Sequence, residues 1–338
     1  MNQTDLPAGA RGIGLIGLGT MGGEMARTVL AAGASESIWV HSRRRVSATA
    51  AEEAGALWAQ SPAEIAERCS LVLTVLPDLP QLEEVLHGPQ GLLAGLGEDL
   101  VLVICSTSSP GGVRELQTRL DAETGGRVRL VDAPVSGGRE GARAGTLSVF
   151  AGGAEADVAR AAEVLNACGQ VVHLGPLGAG QVAKACNQLI VAATTAALAE
   201  SAVLAERSGL DLRALLDVLG PGYAGSRLLE VKGPKLVAHD HSPDSPAGLM
   251  IKDLQFVLQE CAATGTPAGH ANYLHQLYQH VVDAGLGDLD STVIQRYLTE
   301  VSGNAQGAAN GEPGAATGEA GSRTDSVANG EATPGARG

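Results

Sequence analysis

At 338 residues the chain is long enough for two domains of ordinary size. Its formal net charge of −14 argues against a nucleic-acid partner, because phosphate binding needs a basic face. No uninterrupted apolar run of about 18 residues marks a membrane crossing, and five widely spaced cysteines, Cys69, Cys105, Cys168, Cys186 and Cys261, form no CxxC pair and point away from both a disulfide framework and a zinc site.

Residues 1–11 lack the basic start and long apolar core of a secretory signal and read as a short mobile lead-in to a cytoplasmic protein. Residues 12–33, GIGLIGLGTMGGEMARTVLAAG, then give a strand, a GxGxxG at Gly17, Gly19 and Gly22, and a helix closed by Gly33. The first glycine permits a tight turn, the second lets the backbone approach a pyrophosphate, and the third lets the helix pack closely on the strand. Thr20 and Met21, inside the motif, open a helix whose free amides and positive dipole end face the phosphates. After the apolar run Ile38-Trp39-Val40, the place where an acid would hold a ribose hydroxyl is Ser42, followed by Arg43, Arg44 and Arg45. Guanidinium groups there suit a 2′-phosphate, so NADP(H) is expected over NAD(H).

Further strands are expected at Leu71–Leu76, Leu100–Cys105, Arg129–Val131, Leu147–Ala151 and Val171–Leu174, alternating with helical patterns, which implies a mostly parallel, doubly wound α/β sheet. DAPVSGG, residues 132–138, puts Ser136, Gly137 and Gly138 in a loop of small residues whose amides can nest around a carboxylate, or that is simply a turn. After Gly180 the strands stop. A helix from about Gln181 to Ser208, roughly 40 Å long at 1.5 Å per residue, opens an all-α part that runs to about Glu300.

Within GAGQVAKACNQ, residues 178–188, Lys184 sits in Ala-rich surroundings with Asn187 and Gln188 on the same helix face. A lysine buried beside a cofactor has its pKa lowered and can exchange protons near neutrality, whereas a snorkelling surface lysine would do nothing of the kind. In MIKDLQFVL, residues 250–258, Lys252 and Asp253 interrupt an apolar helical pattern, as a solvated face also would. His239, Asp240 and His241 cluster amid Pro and Ser and read as a solvated loop, so no metal is expected. From residue 303 the chain is rich in Gly, Ala, Ser and Thr and is expected to be a disordered tail. The expected division is a lead-in at 1–11, a dinucleotide-binding domain at 12–176, a helical domain at 177–302 and a tail at 303–338.

Taken in one order and spacing, GLGTMG (17–22), LPD (76–78), STSSP (106–110), DAPVSGGREGARAGTLSVFAGG (132–153), GAGQVAKACNQ and IKDL (251–254) resemble the β-hydroxyacid dehydrogenases over about residues 12–300. Within that family, AGS at 224–226 and GLGDLDST at 285–292 are most similar to tartronate semialdehyde reductases, with 3-hydroxyisobutyrate dehydrogenases close behind. The resemblance implies a Rossmann domain, then a helical domain whose long first helix supports a homodimer or homotetramer, with the active site in the cleft between them. It implies reversible hydride transfer between NAD(P)H and a small anionic semialdehyde or β-hydroxy acid, with succinic semialdehyde or glyoxylate as alternative substrates. It makes Lys184 the catalytic group and Ser136, Gly137 and Gly138 the substrate-carboxylate segment, with Asn187 and Gln188 beside them. Leu76, Pro77 and Thr107 become cofactor contacts, and Lys252 a lysine near the nicotinamide. Arg139, where many members have Val or Glu, either reaches a second anionic group on the substrate or lies on the surface, and the surface reading is favoured. Imine reductases usually replace the lysine, so Lys184 speaks against that activity and equally against a non-catalytic cofactor-binding module.

Overall fold

A computed structural model describes residues 12–34 and 37–309. The expected lead-in and residues 310–338 of the expected tail lie outside the described residues. Nine strands form one sheet: β1 (Gly12–Ile16), β2 (Ile38–His41), β3 (Leu57–Trp58), β4 (Cys69–Thr74), β5 (Leu100–Ile104), β6 (Val128–Asp132), β7 (Val135–Ser136), β8 (Leu147–Gly152) and β9 (Gly169–Gly175). Their order is β3-β2-β1-β4-β5-β6-β8-β7, with β9 paired to β8. The first six are parallel, β8 runs antiparallel to β6 and β7, and β9 is parallel to β8.

Every residue of β1 and β5 is buried, which is what an unbroken apolar run means in a sheet covered on both faces. Alternation then divides the side chains between two cores: Val101 and Val103 enter one, Leu100, Leu102 and Ile104 the other. The helices in this part are α1 (Thr20–Ala31), α2 (Thr49–Glu53), α3 (Pro62–Arg68), α4 (Leu79–Leu86), α5 (Pro110–Thr124), α6 (Gly138–Ala144) and α7 (Glu155–Leu165). The strand expected at Leu71–Leu76 is instead β4, two residues earlier. Its register against β1 ends at Ile16 opposite Thr74, which frees Val75 and Leu76 to turn over the β1–α1 loop.

The remaining helices are α8 (Ala179–Arg207), α9 (Leu212–Leu219), α10 (Arg227–Ala238), α11 (Ala247–Thr264), α12 (Gly269–Asp283) and α13 (Ile294–Ala309). A Rossmann-like sheet domain is thus followed by a helical one, and the described residues from Gly12 to Thr299 pack as one compact unit. Because α13 continues to Ala309, residues 303–309 are helical and not part of a structureless tail; once a helix is nucleated, each added residue gains a bond, and alanines there favour it. By length and mean hydropathy alone α8 could cross a bilayer, although Lys184, Glu200 and Glu206 interrupt its apolar run; in this chain it is the packing axis of the second half, touching β8, β9, α10 and α11. Its buried side carries Gln181, Lys184 and Gln188 among alanines.

A buried acid fixes where α8 begins. Asp132, at the end of β6, accepts hydrogen bonds from the amides of Gly178 and Gln181, both at 2.7 Å, satisfying donors that a helix start otherwise leaves unpaired. A second buried acid, Asp290, holds α10 in place: its carboxylate takes the Lys232 ammonium at 2.6 Å and the amides of Ser245 and Thr292 at 3.1 Å. Burial alone would raise the Asp290 pKa, but Lys232 and the two amides outweigh it and leave the carboxyl below its ordinary value. Changing Lys232 to Ala strands a buried charge, so a loss of about 3–5 kcal/mol in folding free energy is expected from urea unfolding.

Candidate active site

The cofactor end is built by the β1–α1 loop. Gly17 has φ +97°, and a Cβ there would overlap the Val75 carbonyl; a Cβ at Gly22 would overlap the Gly17 carbonyl oxygen. Gly19 differs, since nothing lies within 4 Å of where its Cβ would be, and its φ of −76° is open to any residue. Its smallness serves no packing need inside the chain; it leaves a bare cradle. Above it α1 starts at the exposed Thr20 and the half-buried Met21 with no side-chain cap, so the helix-start amides remain for an anion. The open backbone at Gly19 and the uncapped amides suit the charge of a pyrophosphate. Leu76 lies against Gly17, and Pro77 follows it at the surface.

At the end of β2, Ser42 is half-buried and Arg43 and Arg44 are exposed. Arg45 is already engaged, paired with Glu52 at 2.8 Å and lying over the Trp58 ring at 5.0 Å. Among the described residues neither Arg43 nor Arg44 has an ion-pair partner, so these two guanidinium groups are the ones free to meet a ribose phosphate.

The second end of the site is a chain of hydrogen bonds. Ser136 Oγ donates to Asn187 Oδ1 at 3.3 Å, Asn187 Nδ2 to Gln188 Oε1 at 2.8 Å, and Gln188 Nε2 to Asp253 Oδ2 at 2.6 Å. Asp253 Oδ1 lies 3.3 Å from Lys252 Nζ, which donates to the Thr107 carbonyl at 2.6 Å. One path therefore joins Ser136 on the sheet, Asn187 and Gln188 on α8, Lys252 and Asp253 on α11, and Thr107 in the β5–α5 loop. The segment expected as a loop is more ordered than that: Ser136 closes β7 and Gly138 opens α6, with Gly137 at φ +129° between them. A two-residue strand pairing only with β8 is too short to leave a sequence pattern. Nothing lies within 4 Å of a Cβ at Gly138, so the approach to its backbone is open.

Lys184 sits one turn before Asn187 and Gln188 and is 7 % exposed, which rules out the snorkelling alternative. Burial is the largest influence on its ammonium; the Asp253 carboxylate opposes it and the Lys252 ammonium adds to it, and the pKa is pulled down to about 8. Among the described residues its ammonium has no hydrogen-bond or ion-pair partner, so its proton is not committed to a protein acceptor. The Gly17–Gly22 loop and the Ser42–Arg44 segment lie outside this hydrogen-bond path but, like Thr107, follow the carboxyl ends of parallel strands, on the same edge of the sheet.

Two supporting residues escaped sequence reasoning. In the sequence Asp132 is the first residue of DAPVSGG and Gln181 lies near the start of the long helix, and neither pattern assigns them a role. Gln181 Oε1 accepts from the Ser108 amide and its Nε2 donates to the Ser106 carbonyl, both at 2.9 Å, clamping the loop that carries Thr107. A buried amide in an otherwise apolar helix was the available signal. Among the described residues no group of three or more His, Cys, Asp or Glu side chains converges; His239 pairs with Glu206 at 3.0 Å and His241 hydrogen-bonds Thr292 at 3.0 Å.

Comparison with known proteins agrees with this geometry. The family model for the NAD binding domain of 6-phosphogluconate dehydrogenase matches residues 12–175, and that for the NAD-binding region of NADP-dependent 3-hydroxyisobutyrate dehydrogenase matches residues 178–298. A probable 3-hydroxyisobutyrate dehydrogenase-like protein of Arabidopsis thaliana is 34% identical over 283 residues, 83% of each chain. The L-threonate dehydrogenase of Cupriavidus necator is 34% identical over 304 residues, 88% of this chain and 100% of that one. The Mycobacterium tuberculosis 3-hydroxyisobutyrate dehydrogenase, solved with L-serine, superposes with a TM-score of 0.74 at 29% identity, covering 85% of this chain and 98% of that one.

The glycine geometry separates folding from binding. Gly22→Ala should lower the thermal midpoint, since overpacking costs about 1–3 kcal/mol. Gly19→Ala should leave the midpoint unchanged yet weaken NADPH binding by about tenfold, or about 1.4 kcal/mol, in a fluorescence titration. Equal effects of the two changes on both readouts would refute the cradle.

Proposed function

The chain belongs to the β-hydroxyacid dehydrogenase family that includes 3-hydroxyisobutyrate dehydrogenase, an NAD(P)-dependent oxidoreductase family acting on CH–OH groups, and on that footing we propose that it reduces a short semialdehyde carrying a carboxylate, tartronate semialdehyde foremost, with NADPH. The observation that carries this reading is the buried Lys184 with its pKa near 8 beside the Ser136–Asn187 pair. When bound, the nicotinamide supplies the hydride. Lys184 Nζ gives its proton to the carbonyl oxygen during reduction and takes one from the hydroxyl during oxidation. The backbone amides of Gly137 and Gly138 hold the carboxylate, and the Ser136 hydroxyl joins them by turning its proton from Asn187 Oδ1 to the substrate. Gln188, gripped by Asp253, keeps the Asn187 amide turned so that its oxygen faces Ser136. Holding both reactants in a fixed mutual orientation contributes more than proton transfer does.

The relatives support the substrate class more than its identity. One is named for L-threonate and another was solved with L-serine, and each of these acids has a carboxylate, a polar group on the next carbon and a hydroxyl on the one after. The alcohol formed from tartronate semialdehyde has the same pattern. Two segments that favour the tartronate branch do packing work here: Ser226 caps α10 by accepting from the Leu229 amide at 3.1 Å, and Asp290 binds Lys232. Oxidation of a polar β-hydroxy acid of the threonate or serine kind is therefore the second reading. Ile190 and Leu204, 66% and 68% exposed on one side of α8, support a homo-oligomer formed along that helix.

The deciding assay supplies NADPH or NADH with tartronate, methylmalonate and succinate semialdehydes and glyoxylate, and the oxidised cofactors with D-glycerate, L-threonate, L-serine and 3-hydroxyisobutyrate. Lys184→Ala should lower turnover by about 10²- to 10⁴-fold and leave NADPH affinity intact. Because the ammonium is the acid in reduction, kcat/KM should fall as pH rises through about 8; oxidation, which needs the free amine, should rise across the same interval. A flat profile in both directions removes Lys184 from the reaction. Ser42→Asp combined with Arg43→Ala should cut the NADPH-to-NADH preference by at least about tenfold, and an unchanged ratio would sink the 2′-phosphate assignment.

A further inference from the structure

Glu24, in the middle of α1, is a buried carboxylate that the chemistry above leaves unused. Three guanidinium groups converge on it: Arg143 Nη2 at 2.7 Å, Arg139 Nε at 3.0 Å and Arg27 Nη1 at 3.2 Å. Arg27 belongs to α1 itself, but Arg139 and Arg143 come from α6. All three arginine side chains are more than half exposed, whereas that of Glu24 is 7% exposed, so the acid is the fixed point and the arginines close over it. The Arg143 hydrogen bond, opposed by burial and reinforced by Arg139, holds the Glu24 carboxyl at about 2. It stays ionised wherever the protein is folded and active.

The arginines add polar anchors to an element whose apolar hold on the core is the buried Ala142. Helix α6 is seven residues long, and its flanks are Gly137 and Gly138 at φ +129° and +64° and Gly145 at φ +68°. Isolated helices shorter than about 12–15 residues are marginal in water, so contacts from outside set its direction. On the α1 side these are the Glu24 cluster and Thr28 Oγ1, which donates to the Ala142 carbonyl at 2.8 Å. The start of α6 follows directly from Ser136, and the start of α1 is the Gly19–Gly22 loop. One rigid helix therefore carries the cofactor cradle at its first turn and the support of α6 at its second.

We propose that Glu24 is a positioning residue for substrate: by tying Arg139 and Arg143 to α1 it fixes the angle of α6 and so places Ser136, Gly137 and Gly138 against the substrate carboxylate. The proposal rests on the reading of those three residues as the carboxylate grip. Arg139, which the sequence alone assigns to the surface, is in these terms a half-exposed side chain with a structural task. A misplacement on the order of 1 Å at a distant support can cost about 10²-fold in rate, and here the loss falls on the substrate that needs the grip.

The test compares a semialdehyde with the same aldehyde lacking its carboxylate, such as tartronate semialdehyde against glyceraldehyde. Glu24→Gln keeps the shape and removes the charge. It should raise KM for the carboxylate substrate by at least about tenfold with kcat within about threefold, and leave glyceraldehyde kcat/KM and the NADPH Kd within about twofold. Arg139→Met with Arg143→Met leaves the buried carboxylate only Arg27, so its thermal midpoint is followed alongside; it should reproduce the same split, and adding Glu24→Gln, which removes the stranded charge, should make the split no worse. Equal losses for both aldehydes, a fall in NADPH affinity, or no change in KM would overturn the proposal, as would an effect of the arginine pair without one of Glu24. Ser136→Ala is the separate control: if it leaves the KM of the carboxylate substrate unchanged, the grip itself is wrong and the role of Glu24 falls with it.

Discussion

The whole site hangs on one buried carboxylate. Asp132 is fully buried at the end of β6, where desolvation raises its pKa and the amides of Gly178 and Gln181 work against that rise. Those amides belong to the first turn of α8, so the acid sets both the origin and the direction of a 29-residue helix. From that origin, Lys184, Asn187 and Gln188 take their places by helical geometry alone. The same turn sends Gln181 back to clamp residues 106–108, so a single junction adjusts the lysine and the cofactor-side loop together.

Charge balance across the cleft follows the same logic. Two lysines and one aspartate lie on neighbouring turns of α8 and α11, and the aspartate is spent on Lys252 and Gln188. Lys184 is left with the desolvation of a buried ammonium and only distant help from Asp253, which is the condition under which a lysine loses its proton near neutrality. Had Asp253 paired directly with Lys184, the amine would be held protonated and would be a poor base. The pairing pattern, more than the presence of a lysine, suits the residue to proton transfer.

Much of this was legible in the sequence because buried parallel strands are unbroken apolar runs and because GxGxxG has a physical cause at each glycine, steric at Gly17 and Gly22 and an open approach at Gly19. β5, β6, β8, β9 and α8 lie within two residues of their expected bounds. The elements that escaped are those whose reason lies elsewhere in the chain. β3 and β7 are two residues long and are defined by the neighbours they pair with. The end of β4 is set by the register of β1, not by hydropathy. Asp132 and Gln181 act through partners 46 to 75 positions away, a distance at which periodicity carries no information. Lys184 could be singled out because a charge inside an alanine-rich helix start is conspicuous, but that it is buried and unpaired came only from the fold.

The hydrogen-bond path from Ser136 to Thr107 enters the helical half and returns, so both of its ends lie on the sheet domain while its middle lies on α8 and α11. The boundary between the two halves is therefore a poor place to recombine relatives. A graft of one parent's sheet domain onto another's helices would keep Ser136 and Thr107 but exchange the amide and the carboxylate that orient what lies between them. Selectivity in such a protein cannot be inherited as a cassette; the strands and helices on either side of the cleft have to change as a matched set.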